Sequence, residues 1–138
     1  MSAMTPDAFN RLAATQLPMA HQLGFYAEAI SEGVATVRMP FDDTSLRPGG
    51  TISGPAMMSL ADFAMYAALM GQIGQVEMAV TTNLNINFLR LPAQTDVIAE
   101  CRILKLGKRL AVLEVTLLSD GEDDPIAHAT GTYSIPPR

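Results

Sequence analysis

The chain contains few of the residues that build disulfides and metal centres. Its 138 residues include one cysteine, Cys101, and two histidines, His21 and His128, which lie far apart in the sequence. A lone cysteine excludes an intrachain disulfide and a cysteine-based metal cluster, and the two histidines match no metal-binding motif. We therefore expect no metal site, and a reducing cytoplasm is the expected compartment.

Basic residues are also scarce. Nine Lys and Arg against 14 Asp and Glu give a formal net charge of −5, which argues against a nucleic-acid partner. The first residues, MSAMTPDAF, lack the basic and long apolar segments of a secretory signal peptide. The most apolar run of the chain is short and carries Asp62 in its middle, so we expect no membrane span.

Apolar residues, by contrast, are abundant. They make up 49% of the chain, and the mean hydropathy is +0.21, which is high for a soluble monomer and predicts apolar surface buried between subunits. A length of 138 residues fits one domain, 1–138, with a sizeable core.

The segment 49–71, GGTISGPAMMSLADFAMYAALMG, predicts a central helix over residues 54–70. A helix that is apolar nearly all round is a buried one. Its polar exceptions, Ser59, Asp62 and Tyr66, are spaced i, i+3, i+7 and therefore share one narrow face. Because proline suits the first helical position, the sequence predicts Pro55 there and Gly54 as the N-cap.

The other elements follow from hydrophobic periodicity and turn residues. Residues 1–24 predict a helical segment and 25–40 a first strand region, followed by a loop rich in Asp, Pro and Gly. Four strands, at about 80–88, 95–106, 109–119 and 125–135, predict an antiparallel meander over 79–135. This order is typical of an α+β fold with the sheet wrapped around one long central helix.

Two stretches, RPGGTISGPAMMSLADFAMYAAL and AVTTNLNINFLRLP, resemble the PaaI-like acyl-CoA thioesterases of the hotdog-fold superfamily. The resemblance runs from about residue 17 onward and implies a hotdog fold. In that family a His-Gly-Gly motif begins the central helix, and an Asp follows eight residues after the first glycine. Gly54 and Asp62 stand at those two positions.

The resemblance also extends to neighbouring positions. Thr81 falls where the family often places a Ser or Thr hydroxyl that holds the attacking water. Ser53 replaces the motif's histidine, Pro55 its second glycine, and Arg47 a frequent upstream asparagine. The resemblance thus implies that Asp62, Gly54 and Thr81 carry the chemistry.

Thioester hydrolysis needs a polarised carbonyl and an attacking group. The Gly54 N–H at the helix start can stabilise the developing oxyanion. Asp62 can act as general base on water or attack directly as a nucleophile, and the sequence leaves both open. A purely structural interpretation, in which Asp62 bonds Ser59, Tyr66 or a neighbouring strand, is the alternative.

Substrate-binding candidates are mostly polar or basic. Ser53 lies just before the predicted helix and Tyr66 lies on it, and Arg47 either binds a polar group of the substrate or caps its loop. Five of the nine basic residues fall between positions 90 and 109, where they either meet the phosphates of coenzyme A or form an ordinary solvated hairpin: Arg90, Arg102, Lys105, Lys108 and Arg109.

Three functional hypotheses follow. The first is a metal-free thioesterase acting on a small or aromatic acyl-CoA, with coenzyme A present only as part of the substrate. The second is a non-catalytic acyl-CoA or acyl-carrier binding protein on the same fold. The third, a hydratase or dehydratase, would need a histidine that the sequence does not place near Asp62.

The spacing of the two central residues predicts an assembly. Eight residues separate Gly54 from Asp62, about 12 Å along a helix axis, which is too far for both to act on one carbonyl. We therefore expect a homodimer whose composite sites use Gly54 of one subunit and Asp62 of the other, assembled further as a dimer of dimers (a homotetramer).

Overall fold

The structure is a computed structural model that describes residues 2–137. Within that range the chain forms three α-helices, one 3-10 helix (Asp43–Ser45) and eight strands. The helices are α1 (Pro6–Gln16), α2 (Pro18–Gln22) and α3 (Gly54–Ile73). The strands are β1 (Tyr26–Ser31), β2 (Val34–Met39), β3 (Leu46–Arg47), β4 (Thr51–Ile52), β5 (Val80–Phe88), β6 (Val97–Leu106), β7 (Leu110–Ser119) and β8 (Ala127–Ser134).

The predicted central helix is α3, but its start differs from the prediction. The N-cap is Ser53, whose hydroxyl accepts a hydrogen bond from the Ala56 N–H at 3.2 Å. Gly54 is therefore the first helical residue and Pro55 the second, so the prediction of Gly54 as N-cap was wrong. A serine side chain can satisfy a free N–H of the first turn, which a glycine cannot do.

The helix also extends beyond the predicted end at residue 70. It continues through Gly71, which is buried against Ile30 with no room for a side chain, and ends at Ile73. Gly74 follows with φ of 92°, a conformation that favours glycine. By length and hydropathy α3 could cross a membrane, but 72% of its apolar window is buried inside the protein, as expected of a core helix.

Six strands form one antiparallel sheet in the order β1-β2-β6-β7-β8-β5. The predicted first strand region is a hairpin of two strands, β1 and β2, that turns at Gly33. The predicted meander was wrong, because β5 pairs with β8 and β6 pairs with β2. Of the four strands in the predicted meander, β6, β7 and β8 are neighbours in the sheet in chain order. The connection after β5, which contains Pro92, lets the chain cross from the β8 side of these three strands to the β2 side.

The sheet packs its inner face on α3. Along β7 the inward residues Ala111, Leu113, Val115 and Leu117 are fully buried, and they alternate with half-buried residues of the outer face. On β8 the helix approaches so closely that a Cβ added at Gly131 would lie 2.7 Å from Met65 Sδ and 2.9 Å from the Asn83 carbonyl oxygen. The fold is thus α+β, with an antiparallel sheet wrapped around one long helix.

One edge of the sheet is exposed. The edge strand β5 carries Val80 and Phe88 with 56% and 50% of their surface accessible, and Met58 on the adjacent face of α3 is 41% exposed. Apolar side chains beside an unpaired strand edge are typical of a surface that another chain can cover.

Candidate active site

Asp62 lies on the face of α3 that the sequence predicts to be polar. Ser59, Asp62 and Tyr66 all line one cleft of about 420 Å³ between the helix, the end of β5 and the N-terminal helices. Asp62 is half-buried in the wall of this cleft, although the rest of the helix is mostly buried. A carboxylate at a cleft can keep its charge partly hydrated and can meet a ligand.

Two hydroxyl groups hold the carboxylate of Asp62. Thr81 Oγ1 donates to Oδ1 at 2.6 Å, and the Tyr133 hydroxyl donates to the same oxygen at 2.7 Å. Among residues 2–137 no donor reaches Oδ2. The structural interpretation is therefore correct in that Asp62 bonds neighbouring strands, yet one of its two oxygens stays available for water or substrate.

Thr81 and Tyr133 meet at Asp62 because their strands pair. They are directly opposite each other in the β5–β8 ladder, so their side chains project to the same face of the sheet. Burial, together with the negative charge of Asp62, raises the pKa of the Tyr133 phenol well above its usual range. The phenol therefore stays protonated and remains a hydrogen-bond donor.

The walls of the cleft are largely apolar. Phe25, Phe63 and Tyr66 supply aromatic surface, and the Tyr66 hydroxyl donates to the Glu77 carbonyl oxygen at 3.0 Å. Burial raises the pKa of Tyr66, so this phenol also remains neutral. The outer wall comes from α1 and α2 and the residue between them: Gln16, Leu17, Pro18, Met19 and Ala20.

Sequence reasoning missed two parts of this cleft. Tyr133 is an ordinary strand residue by pattern, and only the β5–β8 register brings it to Asp62. The wall formed by residues 16–20 belongs to the predicted N-terminal helical segment, and the sequence does not indicate that this segment lines the cleft. Neither position carries a local sequence signal.

The start of α3 lies apart from the Asp62 cleft. Neither Ser53 nor Gly54 lines that cleft. A Cβ at Gly54 would be 3.3 Å from the Phe88 ring, at the opposite end of β5 from Thr81. Ser53 is engaged as the helix cap, and its N–H donates to the Ser45 carbonyl oxygen at 2.8 Å.

The predicted basic cluster is divided in space. Arg90 forms ion pairs with Glu122 and Asp124, both at 3.1 Å, at the Phe88 end of β5. Arg102 pairs with Glu114 at 2.6 Å. The other three residues of the cluster lie on the β6–β7 hairpin: Lys105, Lys108 and Arg109. Arg47 is exposed on β3.

The hairpin and the Asp62 cleft share one end of the sheet. Leu110, the first residue after the hairpin turn, pairs with Ser134, and Ser134 pairs in turn with Val80, next to Thr81. Arg90 lies beyond the other end of β5, roughly 26 Å away along a strand of this length. The cleft of a chain therefore lies at the same end of the sheet as Lys105, Lys108 and Arg109 of that chain. Arg90 lies at the opposite end.

An antiparallel sheet wrapped on one helix, with a single helix carboxylate beside an apolar cleft, is the arrangement expected of a hotdog-fold thioester hydrolase. The sequence matches the Thioesterase superfamily over residues 49–126, and the chain belongs to that family. Within residues 2–137 no group of three or more His, Cys, Asp or Glu side chains is placed to hold a metal ion.

Individual relatives agree with this assignment. A crystal structure of a candidate thioesterase from Silicibacter sp. TM1040 is 39% identical, covers 99% of this chain and 95% of its own, and superposes with a TM-score of 0.89. A mutant of the phenylacetic acid degradation protein PaaI from Thermus thermophilus is 26% identical over 86% of this chain and 99% of its own, with a TM-score of 0.76. A candidate esterase from Thermoplasma volcanium is 33% identical over 79% of this chain and 80% of its own.

Proposed function

We propose that this thioester hydrolase cleaves small or aromatic acyl-CoA thioesters to the free acid and coenzyme A. The observation that carries the proposal is the arrangement of Asp62, whose Oδ1 is held by Thr81 and Tyr133 and whose Oδ2 is available at an apolar cleft. Asp62 is the general base or the nucleophile, and a Gly54 N–H polarises the thioester carbonyl.

Both routes account for every bond and proton with Asp62, water and the thioester alone. As a base, Asp62 takes a proton from water while the water oxygen bonds to the carbonyl carbon. The oxyanion then re-forms the carbonyl and expels the thiolate, which regains a proton from Asp62. As a nucleophile, Asp62 bonds to the carbonyl carbon and expels the thiolate, and water hydrolyses the resulting mixed anhydride.

The Gly54 N–H is best supplied by a second subunit. It lies about 12 Å along the axis of α3 from Asp62, and Gly54 is not among the residues of the Asp62 cleft. A two-fold axis through the middle of the exposed β5 edge would place Phe88 and Gly54 of one subunit beside Val80 and the Asp62 cleft of the other. We propose this homodimer as the active unit, assembled as a dimer of dimers.

Aromatic and aliphatic side chains around a volume of about 420 Å³ favour a small or aromatic acyl group, with Tyr66 in its wall. The thioester would then lie between Asp62 and the partner's Gly54, near Ser53 and Arg47 of the same partner. The nucleotide would extend to Lys105, Lys108 and Arg109 at the same end of the sheet, with the partner's Arg90 close to them. We also assign the enzyme to the cytoplasm, where the single buried thiol of Cys101 stays reduced.

A panel of acyl-CoA thioesters with detection of the released thiol tests the proposal. We expect turnover with short-chain and aromatic acyl groups, and little with long chains that exceed the cleft. Tight binding of these compounds by the wild-type protein without release of thiol would support the non-catalytic binding protein instead.

A further inference from the structure

We propose that Tyr133 is a positioning residue for the reaction: its hydroxyl fixes the orientation of the Asp62 carboxylate, so that Oδ2 is the oxygen that reacts. This inference rests on the proposed function, because it requires Asp62 to be the base or nucleophile. Tyr133 itself does not bond the reacting atoms.

The first support is the rigidity of the Tyr133 hydroxyl. Tyr133 is 3% exposed, it lies on β8 between two paired strands, and its ring stacks on Tyr66 with centroids 6.2 Å apart. Its hydroxyl lies 2.7 Å from Asp62 Oδ1 and 3.2 Å from the carbonyl oxygen of the same residue. Because packing holds the Tyr133 hydroxyl close to both of these oxygens, the hydroxyl restricts the rotamer of the Asp62 side chain.

The second support is that both hydroxyl donors bind the same carboxylate oxygen of Asp62. Tyr133 and Thr81 both donate to Oδ1, which directs the reactive role to Oδ2. Thr81 is an exposed residue of the edge strand, whereas Tyr133 is enclosed, so the tyrosine is the more rigid of the two donors. The raised pKa of the buried phenol keeps it a donor across the working pH range.

A carboxylate that has lost one of its two donors can move between rotamers, so a smaller share of the enzyme presents Oδ2 in the reactive orientation. Loss of the Tyr133 hydroxyl should therefore lower kcat with little change in KM, an effect that a residue serving only the fold would not produce.

The test is Tyr133→Phe, which keeps the ring and removes only the hydroxyl. We expect kcat to fall several-fold with a smaller change in KM. The matched control is Tyr26→Phe, which removes an exposed phenol on β1 that does not line the cleft; its kcat and KM should both stay at the wild-type values.

A second variant keeps the hydroxyl donor. Fluorotyrosine placed only at position 133 is nearly isosteric and still donates, so its kcat should stay close to that of the wild type. An unchanged kcat in folded Tyr133→Phe, or a fall equal to that of Tyr26→Phe, would overturn the proposal. If Asp62→Asn remains active, the proposed function itself has failed; if Asp62→Asn is inactive while Tyr133→Phe keeps the wild-type kcat, only the role of Tyr133 has failed.

Discussion

At the scale of single residues, the site depends on one carboxylate whose partners are neutral. Thr81 and Tyr133 hold Asp62 through neutral hydroxyl donors, whereas a lysine or arginine at this distance would form an ion pair with it. The walls of the cleft beside Asp62 are largely apolar and offer it few other polar partners. A charged oxygen with few competing partners is what a base or nucleophile requires.

Replacing this carboxylate should abolish catalysis and spare the fold. Asp62→Asn keeps an oxygen that can accept from Thr81 and Tyr133, so the thermal midpoint should stay close to that of the wild type. Loss of the base or nucleophile should lower kcat by on the order of 10²–10⁴, measured by steady-state release of thiol. Near-normal turnover by the folded variant would contradict the catalytic assignment.

Asp96→Asn is a suitable control for that measurement. Asp96 is also a half-buried aspartate with two partners, the Arg38 guanidinium at 3.0 Å and the Phe41 N–H at 2.7 Å. It does not line the Asp62 cleft. We expect Asp96→Asn to lose stability and to retain kcat, the reverse of the pattern expected for Asp62→Asn.

Sequence could locate Asp62 but not its surroundings. Asp62 is the only charge of an otherwise apolar helix, a pattern contained within about twenty consecutive residues. Tyr133 is 71 residues away and reaches Asp62 only through the pairing of β5 with β8. Contacts of this kind depend on strand register, which local periodicity does not specify.

At the scale of elements, the predictions that rest on local periodicity are correct, and those that depend on strand pairing or on the exact helix start are wrong. Helix α3 and the last three strands were predictable because their periodicity is local. The position of β5 was not, since a strand that leaves a central helix can join either edge of the sheet. The N-cap was misassigned because the Ser-Gly-Pro run allows two registers, and the capping hydroxyl of Ser53 decides between them.

The β6–β7 hairpin is the element that we expect to select coenzyme A. Lys105→Gln combined with Lys108→Gln should raise KM for acyl-CoA and flatten its dependence on salt, because fewer cations then meet the phosphates. A truncated acyl thioester without the nucleotide should be hydrolysed equally well by the variant and the wild type. Steady-state kinetics at several ionic strengths measure both effects.

Arg11→Gln is the control for loss of a surface cation elsewhere, to be compared with each hairpin lysine replaced singly, since Arg11 is an exposed cation on α1 outside the cleft. Its KM for acyl-CoA should stay at the wild-type value. Equal changes for the full and truncated substrates in the hairpin variant would indicate a structural role for the hairpin instead.

At the scale of the whole molecule, the two parts of the proposed composite site lie at opposite ends of one surface of the chain. The helix start and Phe88 lie at one end of β5, and the Asp62 cleft lies at the other. The strand edge between them is exposed and partly apolar. An antiparallel pairing of two such edges would cover the apolar side chains and complete both sites at once.

Complementation between two inactive variants tests this composite site. Asp62→Asn removes the carboxylate, and Gly54→Pro removes the N–H donor. Position 54 does not need its N–H for the helix, because it is the first helical residue and Ser53 before it is extended, with φ of −71° and ψ of 150°. Since residue 54 also precedes Pro55 and any Cβ there lies 3.3 Å from the Phe88 ring, the thermal midpoint of Gly54→Pro is measured to establish that the variant is folded. Gly54→Ala, which keeps the N–H, is the matched control and should retain more activity than Gly54→Pro, although its Cβ lies close to the Phe88 ring.

The two inactive variants are then unfolded, mixed in equal amounts and refolded together. Random pairing makes half of the dimers mixed, and each mixed dimer has one intact site and one doubly damaged site. Activity should therefore recover to about a quarter of the wild-type value if each site combines Gly54 of one subunit with Asp62 of the other. Each site would instead be built within one chain if mixed dimers form, as native mass spectrometry can establish, and no activity returns.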